Sequence, residues 1–198
     1  MSITLADKEP LQKDIEYLKT LDESFIDFSL SVFIEYIKYS VPKFHQELYG
    51  LLAKEERLVV AAPRGFAKST ISSVFYPTWL ALFSKRKDIC IISASENLAV
   101  ELLRKIKREL ESNELITRFF GDVRSAKWTE NHIILRNGVN IRAKGAGGQI
   151  RGFRPDCLIC DDIETDDSVV SEDQRKKLKD WLFKACLNCL LPGGQLII

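Results

Sequence analysis

Val59-Val60-Ala61-Ala62-Pro63-Arg64-Gly65-Phe66-Ala67-Lys68-Ser69-Thr70 is where this sequence is most informative. The apolar run at 58–61 reads as a strand, the Ala-Pro-Arg-Gly-Phe-Ala segment as a loop, and Lys-Ser-Thr as the opening of a helix over 69–84. A strand, a loop and a helix beginning on Lys-Ser form the layout of a phosphate-binding loop, whose pattern is G-x-x-x-x-G-K-[ST]. Aligned on Lys68 and Ser69, the two glycines of that pattern fall on Ala62 and Ala67. The strict match therefore fails, yet the physical requirements can still be met. Backbone N–H groups at a helix N-terminus face an anion, Lys68 brings an ammonium to the β/γ-phosphates, and Ser69 and Thr70 bring hydroxyls for Mg²⁺. Gly65 keeps one conformationally free position. Taken alone, the stretch also reads as an ordinary strand–turn–helix with a serine at its N-terminus.

A second stretch narrows that choice. Cys157-Leu158-Ile159-Cys160 is a short apolar run closing on Asp161-Asp162-Ile163-Glu164. A buried strand that ends in carboxylates is a Walker B arrangement, in which the first carboxylate helps hold Mg²⁺ and a second orients or deprotonates the attacking water. Asp161 ends the apolar run and is the Mg²⁺ candidate beside Ser69. The water-activating group is Asp162 or Glu164.

Further outward, the pattern alternates. Strands are expected at 58–61, 88–93, 157–160 and 195–198, and helices at 69–84, 97–111 and 172–190. Two short runs at 133–135 and 139–141 meet around Asn137-Gly138, a pair suited to the positive φ of a tight hairpin. Alternating strands and helices predict an α/β fold with a mostly parallel sheet flanked by helices, the hairpin being an insertion or an edge. Residues 10–54 read as two or three helices packed against that sheet. The expected division is a helical N-terminal adaptor or lid over 1–55 and a P-loop core over 56–198.

Together these motifs resemble the large subunit of bacteriophage terminases, the ATPases that package viral DNA. Ala62 to Thr70 is similar to that family's deviant Walker A, in which the first glycine is commonly missing and a basic residue stands four before the lysine, as Arg64 does. The run from Gly147 to Asp156 resembles the loop ahead of the family's Walker B strand, Phe44-His45-Gln46-Glu47 its adenine-reading glutamine motif, and Ser93-Ala94-Ser95 also fits. The resemblance implies a P-loop ATPase of the ASCE type, bound to ATP and Mg²⁺. Its partners would be double-stranded DNA, a portal protein and a small terminase subunit, in a homo-oligomeric ring. Carried over by position, Ala62, Pro63, Arg64, Gly65, Phe66, Ala67, Lys68, Ser69 and Thr70 would cradle ATP, with Gln46 at the adenine. Arg64 would sense the γ-phosphate in cis, and Arg151 would be a charge-stabilising arginine offered to a neighbour's ATP. Arg151 and Arg154 also fit structural pairing with Asp156 or Asp161. The family usually has Asp-Glu where this chain has Asp161-Asp162, which leaves the catalytic carboxylate open. Residues 195–198 look like the strand leading into the family's coupling motif, so the ATPase portion alone is expected here, without the nuclease domain.

Composition agrees with a folded protein and limits the partners. At ~150 residues per domain, 198 residues make one domain with an appendage. The 45% hydrophobic content excludes disorder over most of the length. With 29 basic against 28 acidic residues the net charge is +1, so contact with DNA has to come from local patches. Arg104, Lys105, Lys107 and Arg108, and Arg175, Lys176, Lys177 and Lys179, are the candidates, though a solvated helix face is the commoner meaning of such runs. The N-terminal sequence has no basic and apolar succession of a signal peptide, and no apolar run approaches ~20 residues, so a cytoplasmic, intracellular protein without membrane contact is expected.

The two CxxC pairs, Cys157/Cys160 and Cys186/Cys189, have zinc-ribbon spacing. In a strand, however, residues three apart point to opposite faces, so the first pair is expected to be core. Cys90, Cys186 and Cys189 read the same way. His45 is expected on a helix surface or beside Gln46, His132 ahead of the hairpin, and Trp79, Trp128 and Trp181 in the core or an interface. A helicase-like ASCE ATPase and a nucleotide-binding fragment without turnover are the other functional readings.

Overall fold

The computed structural model describes residues 5–148, 150, 152–164 and 171–198. Among them the strands are β1 (Arg57–Leu58), β2 (Asp88–Ser93), β3 (Arg124–Trp128), β4 (His132–Leu135), β5 (Asn140–Gly145), β6 (Cys157–Asp161) and β7 (Gln195–Ile197). They form one sheet in the order β1-β7-β6-β2-β5-β4-β3. The pairs from β1 across to β5 are parallel, and β4 pairs antiparallel with both β5 and β3. The α/β fold with a mostly parallel sheet is therefore present, with the hairpin strands at one edge. Gly138 makes the turn at φ 85°.

The helices are α1 (Leu5–Glu23), α2 (Phe25–Val32), α3 (Lys43–Lys54), α4 (Lys68–Thr70), α5 (Tyr76–Leu82), α6 (Glu96–Ser112), α7 (Glu114–Phe120), α8 (Glu172–Trp181) and α9 (Leu187–Cys189). Helices α4 and α5 run together through a π turn over Ile71–Phe75, in which Tyr76 N–H reaches Ile71 O. Pro77 has no N–H to return to Ser73, and its ring crowds that carbonyl. A wider turn just ahead of it relieves the crowding. A second π turn, Leu182–Cys186, joins α8 to α9.

Strand alternation divides the core. Ile89, Ile91, Cys157 and Ile159 face α4 to α6 and the N-terminal helices. Cys90, Ile92, Leu158 and Cys160 face the α8–α9 side, with Leu178, Leu182 and Cys186. Burial on both faces is what central parallel strands require. Cys157 and Cys160 point to opposite faces, as expected from their spacing. Cys90, Cys160, Cys186 and Cys189 gather on one face, a grouping that spacing did not reveal. Burial pushes the Cys90 and Cys160 thiols up to about 12, so they stay protonated and behave as small apolar groups.

The N-terminal helices share the first of these cores. Phe25 packs against Tyr49, Tyr76 and Trp79, and Trp79 Nε1–H donates to Leu21 O at 2.8 Å. Gln195 is buried at the start of β7 with its amide satisfied: it accepts from Tyr76 O–H and donates to Leu52 and Glu55 carbonyls, each at 2.8 Å.

Two expectations need correction. The strand at 58–61 is shorter: β1 ends at Leu58, although Val60 N–H still bonds Ile198 O at 2.7 Å, and Val59 is 72% exposed. Among the described strands β1 has β7 as its single neighbour, and the ladder between them pairs Arg57 with Leu196 and Leu58 with Ile197. In addition, α7 and β3 occupy a stretch for which the sequence pattern suggested no element. Among the described residues no helix is long and apolar enough to cross a membrane.

Candidate active site at the end of the sheet

The loop leaving β1 turns on two left-handed residues, Gly65 at φ 84° and Ala67 at φ 51°. Ala67 is the residue before α4 and stands where the phosphate-loop pattern has glycine. For a residue with a Cβ this conformation costs roughly 1–2 kcal/mol, so the surroundings must hold it. They do so from several sides. Ile71 N–H bonds Ala67 O at 3.0 Å, and Ser72 Oγ–H bonds Lys68 O at 2.8 Å. The Lys68 ammonium donates to Ala62 O, and to Pro63 O at 3.0 Å. From outside the loop, His45 on α3 bonds Phe66 O at 3.0 Å.

The end of β6 faces this loop. Asp161 is half-buried; burial pushes its carboxyl above the usual range, while hydrogen bonding to the Ser69 and Ser73 hydroxyls pulls the other way. Asp162 is itself left-handed at φ 49°, and its carbonyl accepts from Ala94 N–H at 3.2 Å. Ser93 at the end of β2 stands in register with both Asp161 and Gly145, and its carbonyl takes Ala146 N–H at 2.8 Å. The C-terminal ends of β2, β5 and β6 are thus tied together beside the loop. Glu164, two residues beyond Asp162, is exposed.

Loop and strand ends bound one cleft of about 990 Å³. Of the loop residues named from sequence, all but Pro63 line it, and Asp161, Asp162 and Glu164 line it as well. Gln46 does not: its amide donates to Val41 O at 3.0 Å, and its neighbour His45 makes the contact with the loop. His45 is thus a half-exposed residue of α3 whose ring turns to the loop, while the Gln46 amide turns to Val41. Arg151 lies outside the described residues. Arg154 is exposed, and Asp156 takes the backbone N–H groups of Lys87 and Asp88 at 2.7 and 3.0 Å.

The basic runs divide unequally. Lys107 bonds Thr129 O at 3.3 Å and Arg108 bonds the Tyr36 hydroxyl at 3.3 Å, so both brace the fold. Arg175 and Lys179, one helical turn apart on α8, line the same cleft as the loop. From sequence they were candidates for contact with DNA, with a solvated helix face as the alternative, and their i, i+4 spacing was the available sign that both share one side.

Ser69 and Asp161 offer hydroxyl and carboxylate oxygens, a donor set that suits Mg²⁺ completed by phosphates and water. Compared with models of protein families and with curated proteins, the sequence matches none.

Proposed function

We propose that this chain is the ATPase portion of a viral DNA-packaging terminase, binding ATP·Mg²⁺ in the cleft and hydrolysing it to drive double-stranded DNA into a procapsid. The observation that carries the reading is the meeting of Lys68 and Ser69 with Asp161 and Asp162 across one cleft, from strands that are not neighbours. One strand, β7, stands between β1 and β6, which supports the additional-strand arrangement that gives the ASCE class its name. In this reading the Lys68 ammonium turns to the β/γ-phosphates, and Ser69 and Asp161 would hold Mg²⁺, which supplies charge neutralisation at the phosphoryl group. Asp162 or Glu164 takes a proton from, or orients, the attacking water, and Arg64 approaches the terminal phosphate from the same loop. The terminase assignment rests on the loop and strand motifs quoted from the sequence, with Arg64 in the Walker A position as its most specific element.

Calorimetric titration with ATP·Mg²⁺ and a phosphate-release assay, each with and without linear double-stranded DNA, test the proposal. Binding and turnover that Lys68→Ala abolishes, with turnover raised by DNA, are expected. Binding unaffected by Lys68→Ala would overturn the phosphate-loop assignment. Turnover that DNA leaves unchanged would keep the ATPase and remove the DNA motor.

A further inference from the structure

Helix α3 grips the phosphate loop at residue 66, by main chain and by side chain. His45 Nε2 lies 3.0 Å from Phe66 O, and because a carbonyl only accepts, Nε2 carries the proton. Phe44, the preceding residue of α3, meets the Phe66 ring edge to face with centroids 5.8 Å apart. The gripped carbonyl shares its peptide plane with the N–H of Ala67, the alanine held at φ 51°. The relaxed alternative for an alanine is rotation of that plane until φ is negative. Such a rotation would swing the Phe66 oxygen off His45. In a trans peptide the N–H points opposite to the C=O, so an oxygen held on α3 directs the Ala67 N–H away from α3. Ala67 lines the cleft, whereas His45 does not.

We propose that His45 is a positioning residue for the phosphate loop: its bond to Phe66 O keeps the Phe66–Ala67 peptide in the anion-binding orientation that glycine would adopt unaided. The inference rests on the reading of the cleft as an ATP site. It gives α3 a part in nucleotide binding that runs through the loop backbone, and it explains how a loop with alanine at 67 keeps its shape.

The test compares the whole chain with His45→Ala, His45→Gln, Ala67→Gly and the double variant His45→Ala/Ala67→Gly. Affinity for ATP·Mg²⁺, kcat and KM are measured, together with the ¹³C shifts of residue 67 without nucleotide, which report the sign of its φ. His45→Ala is expected to weaken ATP binding and raise KM by about tenfold with kcat nearly unchanged. Its Ala67 shifts should move away from left-handed values. His45→Gln, which again offers an N–H, restores most of the affinity. Ala67→Gly restores it in the His45→Ala background, because glycine holds positive φ without penalty. Unchanged affinity and unchanged shifts in His45→Ala would overturn the proposal. So would a loss that Ala67→Gly leaves in full, since His45 would then be packing support only. A wild type that binds ATP·Mg²⁺ no better than Lys68→Ala marks failure of the ATP reading itself, and the shifts still decide whether His45 holds the peptide.

Discussion

Asp162 combines a left-handed backbone with a carboxylate in the cleft, and that pairing makes the water-activating group separable by mutation. Asparagine tolerates the left-handed region better than other residues with a Cβ, so Asp162→Asn removes the charge without forcing the strand end to refold. We expect it to spare ATP·Mg²⁺ binding and lower turnover by about 10²-fold or more, with Glu164→Gln close to wild type. The reverse pattern in a phosphate-release assay would assign the role to Glu164. Asp161 behaves differently, because burial raises its carboxyl pKa in the folded protein. The unfolded chain then gives up this proton at lower pH than the folded one, so folding stability declines as pH rises from the ordinary carboxylate range through the folded value. Above that value the cost is complete. Asp161→Asn should therefore raise the melting temperature of the nucleotide-free protein at neutral pH while weakening Mg²⁺-dependent binding, and the gain should shrink as the medium is acidified. A lower melting temperature at neutral pH would mean that the Ser69 and Ser73 hydroxyls outweigh burial. Lys68, Ser69 and Asp161 were legible in sequence because their types and local order carry the chemistry. His45, Arg175 and Lys179 were not, because they reach the cleft region only through tertiary packing. The shift from Gln46 to His45 is a single residue, but on a helix that turns the side chain by about 100° and changes what it can touch.

Strands β2 and β6 read clearly from sequence because both of their faces are buried, which leaves continuous apolar runs. β1 read too long for the opposite reason: Val59 is apolar yet 72% exposed, so an apolar run there does not mark a buried strand. β3, Arg-Ser-Ala-Lys-Trp, is an edge strand without apolar alternation, so no periodicity marks it. α7 is seven residues long, and its clearest sign is the cap: Asn113 Oδ1 accepts from Leu115 and Ile116 N–H. Where elements meet closely, composition gave less warning still. A Cβ on Gly145, the last residue of β5, would lie 2.7 Å from the Glu96 backbone nitrogen at the start of α6. Main chain cannot yield as a side-chain tip does, so Gly145→Ala should push the β5 end and the α6 N-terminus apart. A loss of about 1–3 kcal/mol in urea unfolding is expected, with weaker ATP binding because Ser93 and Asp161 share that edge. An unchanged midpoint would show that α6 can shift freely there.

At the scale of the whole molecule, the boundary between residues 1–55 and 56–198 is legible as a change from helices to an alternating pattern, but it is not a boundary in the core. Leu21, Phe25, Phe28, Leu48 and Leu52 belong to the same buried cluster as Val74, Trp79 and Ile89. Gln195 ties the two parts together, since its single amide joins β7 to the C-terminal end of α3, through Leu52 and the capping residue Glu55, and to α5 through Tyr76. Phe25 is the centre of the joint, within 5.0–5.3 Å, centroid to centroid, of Tyr49, Tyr76 and Trp79. Truncation to alanine at so enclosed an aromatic costs about 3–5 kcal/mol. If the N-terminal helices and the sheet share one core, that loss falls on both at once. Phe25→Ala should then lower the urea midpoint while far-ultraviolet circular dichroism and tryptophan fluorescence still report one coincident transition. With Trp128 and Trp181 replaced by phenylalanine, fluorescence from the buried Trp79 reads the joint, and dichroism reads helices on both sides of it. Two separated transitions, with helical signal lost first and ATP·Mg²⁺ binding kept through that step, would show that the N-terminal helices fold as an appendage; α3 and His45 could then reach the phosphate loop only as a loosely held lid.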